Sequence, residues 1–207
     1  MSDKLKVLAF ADLHGDRMLL EKHVKTANDE NVDLVVIAGD VSSRDSPDSA
    51  PDNLIGPFLK IGKQVVLVHG NWESENLVQM LSDVYKVKNL NGYSFMCKGV
   101  GVFGAGGASI GPIPTSEKDI DYKLKKGLKY IRDAKKKLMV THCHPADSMI
   151  SQFTQIFAGS ASIKKTIDEV QPDIVVCGHV HEAEGVEEII GKTRVINVSR
   201  SGKVFEM

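Results

Sequence analysis

The chain has 207 residues, enough for one domain spanning 1–207 with a sizeable core and too few for two ordinary ones without a clear linker. Apolar residues make up 42% and charged residues 26%, and 26 basic against 27 acidic side chains leave no electrostatic footprint for nucleic acid. No stretch has the length of a membrane span, no apolar leader precedes the first strand-like run, and Cys97, Cys143 and Cys177 read as reduced thiols, so a cytoplasmic location is expected.

The predicted elements alternate. Residues 5–11 (LKVLAFA) form an apolar run of strand length, and residues 16–30 place Leu20, Val24 and Ala27 on one helical face. A second strand is expected at 33–38, and a short helix limited by Pro57 within 49–62. Residues 64–68 (QVVLV) form a third strand, after which Ser74 caps a helix over 75–82. Residues 92–105 read as a hairpin, and residues 116–136 as an amphipathic helix with Ile120, Leu124, Leu128 and Ile131 on its inner face. Strands follow at 137–141 and 173–177, with a helix over 160–171 between them. The tail, VEEII, TRVINV and KVFEM, reads as antiparallel strands turning at Gly191-Lys192. Alternation first and hairpins later predict an α/β fold with two mixed sheets face to face and helices outside. The loops 42–53 and 104–116 are the long polar or Gly-rich connections and are candidates for substrate-facing flaps.

The histidines carry the chemical signal. Of seven, only His23 falls inside a helix; His14, His69, His142, His144, His179 and His181 each follow a strand. Asp12, Asp40 and Asn71 occupy the same kind of position. One such residue alone is an ordinary turn or cap residue. Turn chemistry, however, favours Asp, Asn and Gly and does not account for six histidines. In open α/β sheets the carboxyl ends of the strands line the ligand crevice. Carboxylates, an amide oxygen and imidazoles without thiolate suit Mn, Fe, Zn or Ni. The seven residues Asp12, His14, Asp40, Asn71, His142, His179 and His181 are too many for one catalytic metal with an open position. They suit two divalent ions about 3.5–4 Å apart, the arrangement that clamps a phosphoryl group.

Asp12-Leu13-His14, Gly39-Asp40, Gly70-Asn71, Thr141-His142 and Gly178-His179-Val180-His181, in that order, resemble the calcineurin-like metallophosphoesterases. The resemblance runs from residue 7 to about residue 198, and the length is similar to the small phosphodiesterase-type branch. It implies a four-layer α-β-β-α sandwich. It also implies two divalent metal ions, manganese favoured, with Asp12, His14 and His181 on the first, Asn71, His142 and His179 on the second, and Asp40 bridging. The implied reaction is attack of a metal-bridging hydroxide on a phosphodiester, the substrate being a small-molecule or nucleotide phosphoester. A homodimer is the common association of the family's small members. The alternative it leaves open is a non-catalytic, metal-binding interaction scaffold on the same fold, of the retromer-subunit type.

The chain departs from the family at one point. The usual Gly-Asn-His-Asp/Glu block reads Gly70-Asn71-Trp72-Glu73, so the imidazole expected at the leaving group is replaced by an indole. Indole donates a hydrogen bond but is no proton-transfer acid near neutral pH, and a missing general acid costs about 10²–10⁴-fold where the leaving group needs a proton. Three expectations follow: phosphodiesters or aryl esters are hydrolysed better than simple alkyl monoesters, His144 partly replaces the missing imidazole as a catalytic residue, and Trp72 offers substrate an aromatic face. The bland readings are, for His144, a residue that backs a ligand or a loop residue before Pro145 and, for Trp72, a packing residue at a helix start.

Other signals are set aside. Gly99 to Gly104 matches G-x-G-x-x-G but lies in strand-like sequence that opens no helix, which speaks against a dinucleotide site. Asn197-Val-Ser199 matches a glycosylation acceptor without a secretory leader, and the lysines of 117–137 read as a solvated face.

Overall fold

The computed structural model describes residues 4–51, 53–154, 156 and 158–207. Strands β1 (Lys6–Phe10), β2 (Leu34–Ala38), β3 (Gln64–Val68) and β4 (Lys88–Asn89) alternate with helices α1 (Arg17–Asp29), α2 (Gly56–Lys60) and α3 (Glu75–Tyr85). There follow β5 (Ser94–Cys97), β6 (Val100–Ala105), α4 (Glu117–Leu128), β7 (Lys136–Thr141), α5 (Ala161–Val170), β8 (Ile174–Cys177), β9 (Glu187–Ile190), β10 (Thr193–Asn197) and β11 (Lys203–Glu206). Asp16, Ser74, Ser116 and Ser160 cap α1, α3, α4 and α5, each side-chain oxygen accepting from a backbone N–H three residues on. Among the described residues, no helix is long and apolar enough to cross a membrane.

The first sheet has the order β11-β1-β2-β3-β4 and the second β5-β6-β7-β8-β10-β9. In the first, β1 through β4 run parallel and β11 antiparallel; in the second, β6, β7, β8 and β10 run parallel between antiparallel edges. Side chains alternate across each strand and sort the apolar residues into three layers of contact. Val7, Ala9, Val36 and Val66 meet Val102, Leu138, Val140 and Val176 between the sheets. Leu8, Phe10, Ile37 and Leu67 instead pack outward with Leu20, Phe58, Val78 and Leu81 of the first three helices. On the other side Phe103, Met139 and Val175 pack with Ile120 and Leu124 of α4 and Ile163 and Ile167 of α5. Two mixed sheets between outer helices make the expected four-layer sandwich.

Three local expectations change. The helix expected over 116–136 ends at Leu128, and Ile131 packs from the following turn onto Gly101 of β6. Pro57 does not stop α2 but sits in its first turn, where its missing N–H is no loss. The tail is not one antiparallel unit. β9 and β10 pair as expected at Gly191-Lys192, but β11 leaves that sheet and pairs with β1 of the other. Residues 99–104 lie in the β5–β6 hairpin and open no helix.

A candidate metal centre at the seam between the sheets

Parallel strands bring their carboxyl ends to one rim. Asp12 and His14 follow β1, Asp40 follows β2 and Asn71 follows β3, all from the first sheet. His142 follows β7, and His179 and His181 follow β8, from the second. The chain turns sharply at these points. Asp12, His14, Asp40 and His179 have φ of 56°, 46°, 55° and 72°, a left-handed region that non-glycine residues enter at a cost and that concentrates at functional sites. Gly39 and Gly70 let the β2 and β3 ends touch. A Cβ on Gly39 would stand 2.6 Å from the Gly70 nitrogen, and one on Gly70 would stand 2.0 Å from Asp40 Oδ1.

The side chains gather into two groups whose ligand atoms lie within 4.8 Å of one another: Asp12, His14 and His181, and Asp40, His142 and His179. Asn71 joins the second, its Oδ1 standing 2.9 Å from His142 Nε2 and 3.0 Å from His179 Nδ1. Asp40 touches both groups. Its Oδ2 is 3.3 Å from His142 Nε2 and 3.7 Å from His14 Nε2, while its Oδ1 accepts the backbone N–H groups of Asn71 and Trp72 at 2.8 and 3.0 Å. His142 Nδ1–H donates to the Ala38 carbonyl at 2.8 Å, which turns Nε2 toward the carboxylates. The Asp12 carboxylate accepts the His179 N–H at 3.2 and 3.1 Å and the Ser199 hydroxyl at 2.7 Å.

The charges follow from this packing. Burial opposes ionisation of Asp12, yet His181, His142 and Ser199 hold its carboxyl well below the usual range. Burial likewise opposes the Asp40 charge, and His142 outweighs it. Burial also disfavours a charged His142, but Asp40 and Asp12 push its imidazole up to about 9. His179 goes the other way, lowered to about 3 by burial and then by the neighbouring His142. Burial lowers His14 too. Two buried carboxylates facing four imidazoles are a set that divalent ions match in charge and donor type.

A cleft of about 270 Å³ opens onto this rim. Trp72 forms part of its wall, half-buried, with its ring edge-on to His14 at 5.7 Å between centroids. His144 is placed differently from the catalytic imidazole expected at a leaving group. It is fully buried, stacks on His179 at 6.4 Å between centroids, and is not among the residues lining the cleft. His69 is buried as well. Its Nδ1–H donates to Asn91 Oδ1 at 2.9 Å and its Nε2 accepts from Thr115 at 3.2 Å, and the Gly107 N–H donates to its carbonyl. It thus anchors the loop 106–115, which reaches Asn71 through the Ile113 N–H.

Two residues escaped the sequence reading. Arg44, in the loop 42–53, lines the cleft, its Nη2 being 3.4 Å from His181 Nδ1. A lone arginine in a polar loop carries no signal of its own. Glu73 is fully buried and accepts four backbone N–H groups, those of Gly70, Asp40, Val41 and Ser42, at 2.6, 2.7, 3.1 and 3.2 Å. Burial and then the Asp40 charge push its carboxyl up to about 7, against the pull of those donors. It ties the β2 and β3 ends together. The signal was a carboxylate two residues past Asn71, inside a block already singled out.

No curated protein sequence matches the chain significantly. Solved structures do. The Thermus thermophilus protein TT1561 aligns with a TM-score of 0.74 at 17% identity, covering 97% of this chain and 98% of its own. A dimetal phosphatase from Danio rerio aligns at 0.61 and 14% identity, over 94% of this chain and 87% of that one. An archaeal phosphodiesterase aligns at 0.53 and 16% identity, over 98% and 99%. At these identities the likeness is one of fold. The family model described as calcineurin-like phosphoesterase matches residues 5–183, and with that match the chain belongs to the calcineurin-like phosphoesterase family.

Proposed function

We propose that the protein is a dinuclear metal-dependent phosphoesterase that hydrolyses phosphodiesters with good leaving groups. The observation that carries this reading is the Asp40 carboxylate, with one oxygen held by two backbone N–H groups and the other turned to an imidazole of each ligand group. In this reading Asp12, His14 and His181 hold one divalent ion, Asn71, His142 and His179 the other, and Asp40 serves both. Such a pair, manganese favoured, would supply Lewis-acid chemistry there, making water a better nucleophile and neutralising phosphoryl oxygens.

The protein's own part is positioning and electrostatics, as in phosphoryl transfer generally. Arg44 brings a guanidinium to the cleft, suited to a non-bridging phosphoryl oxygen. Trp72 offers its ring to an aryl or nucleoside group, and no imidazole of the cleft wall stands at its position to protonate a poor leaving group. His144 backs His179 and acts by holding that ring in place. Three cysteines outside any disulfide agree with a cytoplasmic site of action.

The test is hydrolysis of bis-nitrophenyl phosphate and of glycerol phosphate with added Mn. The diester should be turned over and the alkyl monoester left nearly untouched. Chelator or Asp40→Asn should lower diester turnover by about 10²–10³-fold, the scale of losing a preorganised electrostatic group. Metal-loaded protein that is inert on a broad phosphoester panel would favour the scaffold reading.

A further inference from the structure

The family match ends at residue 183, and the chain continues through β9 and β10 before crossing from the second sheet back to the first. That crossing, residues 198–202, passes directly beside Asp12. Ser199 is fully buried, and its carbonyl accepts the Ala11 N–H at 2.8 Å. Arg200 Nη1 donates to the Asp12 carbonyl at 3.2 Å and Nη2 to Asp16 Oδ2 at 2.7 Å. His23, stacked on Phe10, donates from Nε2 to the Arg200 carbonyl at 2.9 Å. With the Val198 N–H donating to the Cys177 carbonyl at 2.8 Å, the crossing is held on both sides of Ser199 by groups other than the serine hydroxyl.

Ser199 itself has φ of 26°, inside the region where glycine is the less strained residue. A side chain kept there against its backbone preference points to a use for that side chain. Its hydroxyl donates to Asp12 Oδ2 at 2.7 Å. The other oxygen, Oδ1, is the one turned to His181 Nε2, at 3.7 Å.

We propose that Ser199 is a positioning residue of the first ligand group: by occupying Oδ2 it assigns the two Asp12 oxygens different tasks and leaves Oδ1 to the cation. This rests on the dinuclear reading above. The His179 N–H meets both oxygens almost equally, at 3.2 and 3.1 Å, so of these two donors only the Ser199 hydroxyl chooses between them; without it the carboxylate can turn and offer either oxygen, which weakens the grip on a small divalent ion. Loss of such an outer partner typically lowers metal affinity about 10–100-fold.

Two variants separate this role from packing. Ser199→Ala and Ser199→Gly both lose the hydroxyl, but only glycine relieves the backbone, so glycine should have the higher thermal midpoint in metal-free protein. Mn titration of the metal-free full chain, read by calorimetry and by the electron paramagnetic signal of free Mn, gives the affinities. Wild type should bind two ions. Both variants should keep one at wild-type affinity and bind the other about 10–100-fold more weakly, by the same factor despite their different midpoints. Wild-type affinity for both ions in either variant, or a loss that tracks the midpoint, overturns the serine's role while the dinuclear reading stands. Wild type that binds fewer than two ions overturns both.

Discussion

The two ligand groups share Asp40 as a neighbour but sit in different surroundings. In the second group His142 is fully buried, His179 is 8% exposed and Asp40 is 2% exposed. In the first, Asp12 is buried, but the His181 side chain is 27% exposed and faces the cleft beside Arg44. His142 is sealed in the core between the sheets, while Asp40, Asn71 and His179 reach the floor of the same cleft that His14 and His181 line, and His181 is the most exposed ligand of the seven. Burial forces the second group to balance its charges internally, because an uncompensated charge there has no water to turn to. In the first group only His181 has water to exchange for its partner.

That contrast can be broken by matched ligand variants. His142→Ala removes the imidazole that faces Asp40 at 3.3 Å and should destabilise the metal-free protein by about 3–5 kcal/mol, the usual result of stripping one member from a buried pair. His181→Ala should change metal-free stability by no more than about 0.5 kcal/mol, as expected of a partly exposed position at a cleft. Urea unfolding of both proteins decides it; equal losses would mean that burial does not separate the groups.

A smaller effect sharpens the role of the opening. Trp72→Ala should raise KM for aryl and nucleoside diesters about 5–150-fold, the counterpart of about 1–3 kcal/mol of stacking, with kcat little changed. An equal rise for alkyl substrates would make the indole a packing residue only.

The smallest effect concerns the supports of each group. His23 holds the crossover beside Asp12, and His69 holds the loop beside Asn71. Burial lowers their imidazoles to about 4 and about 3, so both are neutral in the fold. The unfolded chain takes up these protons near 6.5, so the stability they contribute is complete above that pH. It is lost as pH falls toward 4 for His23 and toward 3 for His69. Near pH 5 each should contribute about 1.4 kcal/mol per pH unit to the slope of unfolding free energy. His23→Gln or His69→Gln, followed by urea unfolding of metal-free protein from pH 7 to 5, should remove about one proton from that slope. An unchanged slope would mean that the histidine titrates alike in both states.

Much of this was legible before the structure. β1, β2, β3, β7 and β8 each contain a continuous apolar run, and each is followed by polar residues that local physics does not require. The ligand types could be read there because metal chemistry depends on side-chain identity. The path of KVFEM was not legible: a half-buried strand pairs equally well with either sheet until the chain packs, and β11 takes the open edge at β1. Ile131 misled for a related reason, since its periodicity fits α4 while its burial comes from a turn over Gly101.

The sequence by itself determined which residues could hold a cation and that they stand at strand ends. It also showed that an indole replaces the family's imidazole. Only the tertiary structure decided how those residues divide. Each group draws on both sheets, and face-to-face packing across the core brings Asp12 beside His181 and Asp40 beside His142. The same packing buried His144 behind His179, brought Arg44 to the cleft, and set Ser199 on Asp12 across 187 residues of chain. Residue type limits what a side chain can do; distance and access to water, which follow from packing, determine what it does.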